Sequence, residues 1–153
     1  MRATAVVPVK RFGAAKERLA GALPSTARAE LAAAMLDDVL AALGRCERLD
    51  RVIVVSGEPA AAEAASAAGA DWLDDPDDAG HSQAAAFGVR SALAAGAAAA
   101  ALLPGDCPML DATELDRALA DLRRGSVGVV PDRHGTGTNG LLLCPPDAIE
   151  PAF

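Results

Sequence analysis

Residues 98–125, AAAALLPGDCPMLDATELDRALADLRRG, decide the fold. An apolar run carries the chain into a core and stops at Pro104 and Gly105. A single carboxylate, Asp106, is then presented ahead of Pro108. A helix start follows at once: Asp111 is the N-cap, Glu114 stands at capping-box spacing, and Leu110 can staple to Leu115. Strand, tight turn and helix in that order are the repeating unit of an α/β protein.

The same unit recurs toward the N-terminus. ATAVVPV (3–9) is a buried strand rich in β-branched residues. STARAELAAAMLDDVLAALG (25–44) is an amphipathic helix capped by Ser25 or Thr26 and stopped by Gly44; Leu31, Met35, Leu36, Val39, Leu40 and Leu43 share one face. RVIVVS (51–56) is a strand, EPAAAEAASAAG (58–69) a small-residue helix, ADWLDD (70–75) a short strand, and SQAAAFGVRSALAAG (82–96) a helix. Beyond residue 125, SVGVVPD (126–132) and NGLLLC (139–144) read as strands, and PPDAIEPAF (145–153) begins another helical turn. The lone Trp72 is expected in the core, and the acidic run DDPDD (74–78) in solvent. The alternation implies a parallel or mostly parallel sheet covered by helices on both faces, in a single domain over residues 1–153.

Composition narrows the function classes. The chain is 52% apolar with only 3% aromatic residues, so small side chains do the packing. No apolar run approaches the ~18–20 residues of a membrane span, and the short N-terminal apolar stretch contains Pro8 with no cleavage site after it. Cys46, Cys107 and Cys144 are far apart and odd in number, which fits reduced thiols in a cytoplasmic protein. The net charge of −7 argues against nucleic acid as the main partner. Yet the only two lysines, Lys10 and Lys16, fall in VPVKRFGAAKERL together with Arg11 and Arg18. An acidic chain with its ammonium groups in one loop has a local positive site suited to a small polyanion.

In open α/β sheets, ligands sit beyond the carboxyl ends of the strands, at a switch in strand order. Lys10, Ser56, Gly57, Asp106 and the segment Asp132–Asn139 all fall at such ends. Asp106, held by a Pro-Gly turn, is placed to bind Mg²⁺, a hard ion that takes a carboxylate together with phosphate oxygens. The alternative is that it bonds only its own turn, although Asp111 already caps the next helix. The basic loop matches neither a P-loop nor a GxGxxG fingerprint. DRHGTGTNG (132–140) is either a backbone nest for an anion or an ordinary glycine-rich turn. Gly80, His81 and Ser82 open a helix whose N–H groups could meet a nucleotide, with Ser82 equally open to reading as a plain N-cap.

Taken together, VPVKRFGAAKERL, GHSQAA, LLPGDCPML and VPDRHGTGTNGLLL resemble the guanylyltransferases of coenzyme F-420 biosynthesis, which act on 2-phospho-L-lactate or phosphoenolpyruvate. The likeness runs from residue 3 to residue 153. It implies a Rossmann-like, glycosyltransferase-A-type nucleotidyltransferase fold and transfer of GMP from GTP to the phosphorylated acid with release of pyrophosphate. By the same resemblance Lys10, Lys16 and Arg18 contact the GTP phosphates and act in catalysis, and Gly80, His81 and Ser82 help hold the nucleotide. The resemblance likewise implies that Asp106 ligates Mg²⁺ and acts in catalysis, and that Thr138, with Thr136 and Asn139 nearby, contacts the acid. The family usually continues past this point, so the fold is expected without its C-terminal segment. That departure keeps open a nucleotide-binding module, or transfer to another phosphorylated acceptor; a homodimer is also admitted. Relatives with a glycine-rich GG loop after the first strand, and glycosyltransferases with an Asp-x-Asp pair, fit less well.

Overall fold

The computed structural model describes residues 2–152. Six strands form one sheet: β1 Ala3–Pro8, β2 Leu49–Ser56, β3 Asp71–Asp74, β4 Ala100–Leu102, β5 Ser126–Pro131 and β6 Thr138–Cys144. Four α-helices alternate with them: α1 Ser25–Leu43, α2 Pro59–Ala67, α3 His81–Ala94 and α4 Ala112–Asp121. The spatial order is β3-β2-β1-β4-β6-β5. β1 pairs parallel with β2 and β4, and β2 pairs parallel with β3. β6 runs antiparallel between β4 and β5. Five strands therefore point one way and only β6 is reversed, as a mostly parallel sheet requires.

Side-chain alternation splits the core into two layers. Ala3, Ala5 and Val7 of β1, with Leu142 and Cys144 of β6, face α1, α2 and α4. Val6 of β1, Leu102 of β4, and Leu141 and Leu143 of β6 face α3 alone. Small residues set the spacing between layers. A Cβ on Gly88 of α3 would stand 2.2 Å from Val6 Cγ1, so this helix lies on β1 with no room for a side chain. Among the described residues no helix is long and apolar enough to cross a membrane.

Three local expectations are corrected. Pro24, in extended conformation, holds the cap position of α1 and no side chain caps that helix; Ser25 is already its first residue. Residues 145–149 form turns and bends rather than a helix, and 150–152 form no regular element; Phe153, the last residue of that expected turn, lies outside the described residues. Trp72 is 41% exposed, because β3 is the sheet edge and its other face carries the buried contact through Leu73. Its indole N–H donates to the Ser56 carbonyl at 2.9 Å, which satisfies the polar end while the ring stays in part outside. The expected start of α4 is present: Asp111 accepts from the Glu114 N–H at 2.9 Å, and Leu110 packs beside the cluster that holds Leu115.

Candidate active site

The switch in strand order lies between β1 and β4, since the chain leaves β1 for β2 on one side and later returns to β4 on the other. A cavity of about 280 Å³ opens there at the carboxyl ends of the two strands. Pro8, Lys10, Phe12 and Lys16 line it from the β1 side, Gly105 and Asp106 from the β4 side, and His81 from α3. Four sequence-expected residues, Lys10, Lys16, His81 and Asp106, thus share one cleft.

The loop after β1 is built, not floppy. Phe12 is buried and anchors a single 3-10 turn, Phe12–Ala14; a second turn covers Glu17–Leu19. The Phe12 N–H donates to Glu58 Oε2 at 2.9 Å, and Glu58 also caps α2 through the Ala60 N–H. Arg28 of α1 donates to the Ala15 carbonyl at 3.2 Å. Between these anchors Lys16 takes a left-handed conformation, φ 54° and ψ 38°, one that few non-glycine residues adopt. Its ammonium thereby reaches Asp106 Oδ2 at 2.7 Å. The carboxylate is 55% exposed and the lysine side chain 23%. In that setting the pair adds about 0–1 kcal/mol to stability, so its value lies in where it places charge.

His81 sits at the first turn of α3, behind Gly80, whose φ of 112° favours glycine. Gly80 holds the cap position of α3 and Ser82 lies inside the helix, so the reading of Ser82 as the N-cap residue does not hold. Burial first, and then the Lys10 ammonium, lower the His81 pKa below its usual value, while Asp106 opposes them. That lowering favours the neutral imidazole at pH 7, which has one donor and one acceptor nitrogen. Arg11 turns away: its guanidinium lies against Gly57, where an added Cβ would meet it at 3.0 Å, and it partly offsets the raised pKa of Asp75. Burial and then Asp78, Asp77 and Asp74 cause that rise.

Thr138 and Asn139 open β6 and line a small recess of about 30 Å³ with Pro8, His81 and Pro104, three residues that also border the main cavity. Arg18, Gly80, Ser82 and Thr136 line neither cavity. In the turn between β5 and β6, the backbone nest is already filled. Asp132 accepts from the His134 N–H at 2.9 Å and the Thr136 N–H at 3.0 Å. These bonds, led by that of Thr136, hold the Asp132 pKa below its usual value. Thr136 is thus tied to the turn, whereas Thr138 stands at the cleft. Arg28 and Glu58 escaped the sequence reading because each acts on the loop from outside it, Arg28 from α1 and Glu58 from the cap of α2, with no local motif to mark it.

The cleft can hold an anion between Lys10, Lys16 and the start of α3, with a hard cation on Asp106. Among the described residues no three His, Cys, Asp or Glu side chains cluster as a protein-only metal cage. One half-exposed carboxylate facing an open cavity instead suits an ion carried in by substrate phosphates, as Mg²⁺ commonly is.

The family described as "Guanylyl transferase CofC like" matches residues 3–153. A phosphoenolpyruvate guanylyltransferase of Conexibacter woesei is 48% identical over 155 residues, covering 100% of this chain and 70% of its own length. Another of that name, from Sphaerobacter thermophilus, is 41% identical over 153 residues and is covered to 73%. Among solved structures, a nucleotidyl transferase from Methanothermobacter thermautotrophicus superposes with a TM-score of 0.65 at 21% identity, over 84% of this chain and 62% of that one. CMP:2-keto-3-deoxy-manno-octonic acid synthetase complexed with CTP gives a TM-score of 0.62 at 14% identity, over 97% of this chain and 76% of that one. At these identities the structural likeness speaks for the fold.

Proposed function

This chain belongs to the guanylyl transferase CofC-like family, and on that premise we propose that it transfers GMP from GTP to phosphoenolpyruvate or 2-phospho-L-lactate. The reaction releases pyrophosphate and feeds coenzyme F-420 biosynthesis in the cytoplasm. The observation that carries this reading is the apposition of Lys16 and Asp106 at 2.7 Å across the β1/β4 crevice. One group suits a polyphosphate and the other the cation that accompanies it. The relatives' names, phosphoenolpyruvate guanylyltransferase, support guanylyl transfer to phosphoenolpyruvate; GTP as donor and 2-phospho-L-lactate as the other acceptor follow from the sequence resemblance.

A phosphate oxygen of the acid attacks the α-phosphorus of GTP. The new P–O–P bond forms as the bond from the α-phosphorus to its bridging oxygen breaks, and pyrophosphate leaves with that electron pair. A phosphate monoester dianion is already nucleophilic at neutral pH, so no general base is required. Phosphoryl chemistry of this kind rests on positioning and charge stabilisation. Lys10 and Lys16 would neutralise the triphosphate, with Arg18 reaching it from the loop, and the Gly80–Ser82 turn would receive the nucleotide. Thr138 and Asn139, with Thr136 behind them, would meet the acid. Asp106 would hold Mg²⁺, which when bound supplies charge neutralisation for the triphosphate and the departing pyrophosphate.

The test is pyrophosphate release by the wild-type protein, crossing four nucleoside triphosphates with the two acids in the presence of Mg²⁺. GTP with one of the acids should give turnover. Asp106→Asn should lower it by at least about 10²-fold, the scale of losing an electrostatic anchor, without changing the melting temperature. Lys16→Ala should weaken GTP more than the acid. GTP binding with no pyrophosphate release from any pairing would replace the enzyme by a nucleotide-binding module, and unchanged turnover in Asp106→Asn would remove that residue from the chemistry.

A further inference from the structure

We propose that Arg28, on the first turns of α1, is a positioning residue that sets the Lys16 ammonium at the nucleotide site; the functional part of this inference rests on the transferase reading above. Arg28 does not line the cavity. Its Nη1 holds the Ala15 carbonyl at 3.2 Å, and the next residue is the left-handed Lys16 that reaches Asp106. Fixing the carbonyl of Ala15 fixes the peptide plane from which Lys16 departs, so the guanidinium controls the aim of an ammonium it never touches.

Two local penalties flank this contact. Lys16 has a conformation disfavoured for residues with a Cβ. Arg28 Nε is buried with no hydrogen-bond partner, and among the described residues it is the only buried side-chain nitrogen or oxygen in that state. A buried unsatisfied donor disfavours the fold. A methionine side chain would keep an unbranched apolar stem without that donor. Penalties of this kind persist where the geometry serves a site. Here both lie on the path from α1 to the Lys16–Asp106 pair, and together they separate positioning from plain packing. If Arg28 were only structural, removing it would lower stability. If it positions Lys16, removing the guanidinium frees the loop while global stability holds or rises.

The experiment uses Arg28→Met, which keeps an unbranched stem, and Arg28→Lys, which restores charge and one donor. In the ligand-free protein, the Ala15 and Leu19 amides close the loop's two turns on Phe12 and Lys16 carbonyls. Their hydrogen exchange should quicken about tenfold in Arg28→Met, the scale of one lost charge-assisted hydrogen bond. Exchange in β1 and β2 should not change, and the melting temperature should stay level or rise. Mg-GTP binding by calorimetry should weaken about tenfold in Arg28→Met, with partial recovery in Arg28→Lys. On a Lys16→Ala background the same substitution should have no further effect on GTP, since its effect runs through Lys16. Unchanged loop exchange, or a general rise in exchange with a lower melting temperature, overturns the inference. So does an equal loss of GTP affinity on both backgrounds. A wild-type protein that binds no GTP removes the transferase reading, and loop exchange alone then decides whether Arg28 sets Lys16.

Discussion

Gly88→Ala adds one methyl group at the closest approach of helix to sheet. The new Cβ would stand 2.2 Å from Val6 Cγ1, 3.2 Å from Val55 Cγ2 and 3.3 Å from Val6 Cβ. Ordinary carbon contacts lie at about 3.5–4.0 Å, so α3 must lift by roughly 1.5 Å or Val6 must move. Val6 is fully buried, in one of the two inner strands of the parallel run β3-β2-β1-β4, and its β-branched side chain has little rotamer freedom. The helix therefore lifts. Because α3 is, among the described residues, the only helix over Val6, Ile53, Val55, Leu102, Leu141 and Leu143, the lift loosens that whole layer.

Overpacking of this kind costs about 1–3 kcal/mol, and a Cβ that cannot rotate away belongs near the upper end. Replacing a mid-helix glycine by alanine returns about 1 kcal/mol of helix propensity. The net is a loss of about 2 kcal/mol, or a melting temperature lower by about 4–8 °C in a domain of this size. Urea unfolding followed by circular dichroism should give a lower midpoint with an unchanged slope. A variant as stable as wild type, or more so, would mean that propensity outweighs packing and that α3 does not lie this close to β1. The same lift would carry His81, the first residue of α3, away from the cavity.

Two further outcomes follow from the ionisable groups. Burial and Lys10 hold the His81 pKa below 6.5 in the fold, so the unfolded chain binds the proton more readily. Stability should then fall as pH drops through about 6.5 toward the folded value, and His81→Gln should flatten that slope in pH-dependent denaturation. The Asp132 pKa is lowered by its own turn, so its contribution is present above 3.8 and is lost as pH falls through the folded value. At neutral pH, Asp132→Ala should speed amide exchange at His134 and Thr136 and leave exchange in β6 beyond Gly140 unchanged. Slow exchange at those two amides in the variant would show that the turn stands without its carboxylate.

Much of the architecture could be read along the chain. Apolar runs, helix periodicity and punctuation by Pro and Gly placed six strands and four helices close to their observed bounds, including the Asp111 cap of α4. Each of these signals depends on neighbours within a few residues. The errors fell where a local signal competed with a non-local one. Ser25 and Thr26 are good caps in isolation, yet Pro24 holds that position. Trp72 is apolar enough for a core but belongs to an edge strand, which no local pattern reveals.

The order of residues alone established the alternation of elements and the gathering of ionisable groups at strand ends, because both are written in short-range patterns. It could not supply the strand order, the reversal of β6 or the partner of Asp106, since these depend on contacts between distant segments. Lys16 and Asp106 are 90 residues apart, and their meeting at 2.7 Å requires β1 beside β4, a left-handed residue and a loop held from α1 by Arg28. Arg18, in the same basic run, is exposed and lines neither cavity. Which cation lines the cleft in the ligand-free fold is a matter of backbone aim, and that aim exists only once the packed helices and sheet hold the loop.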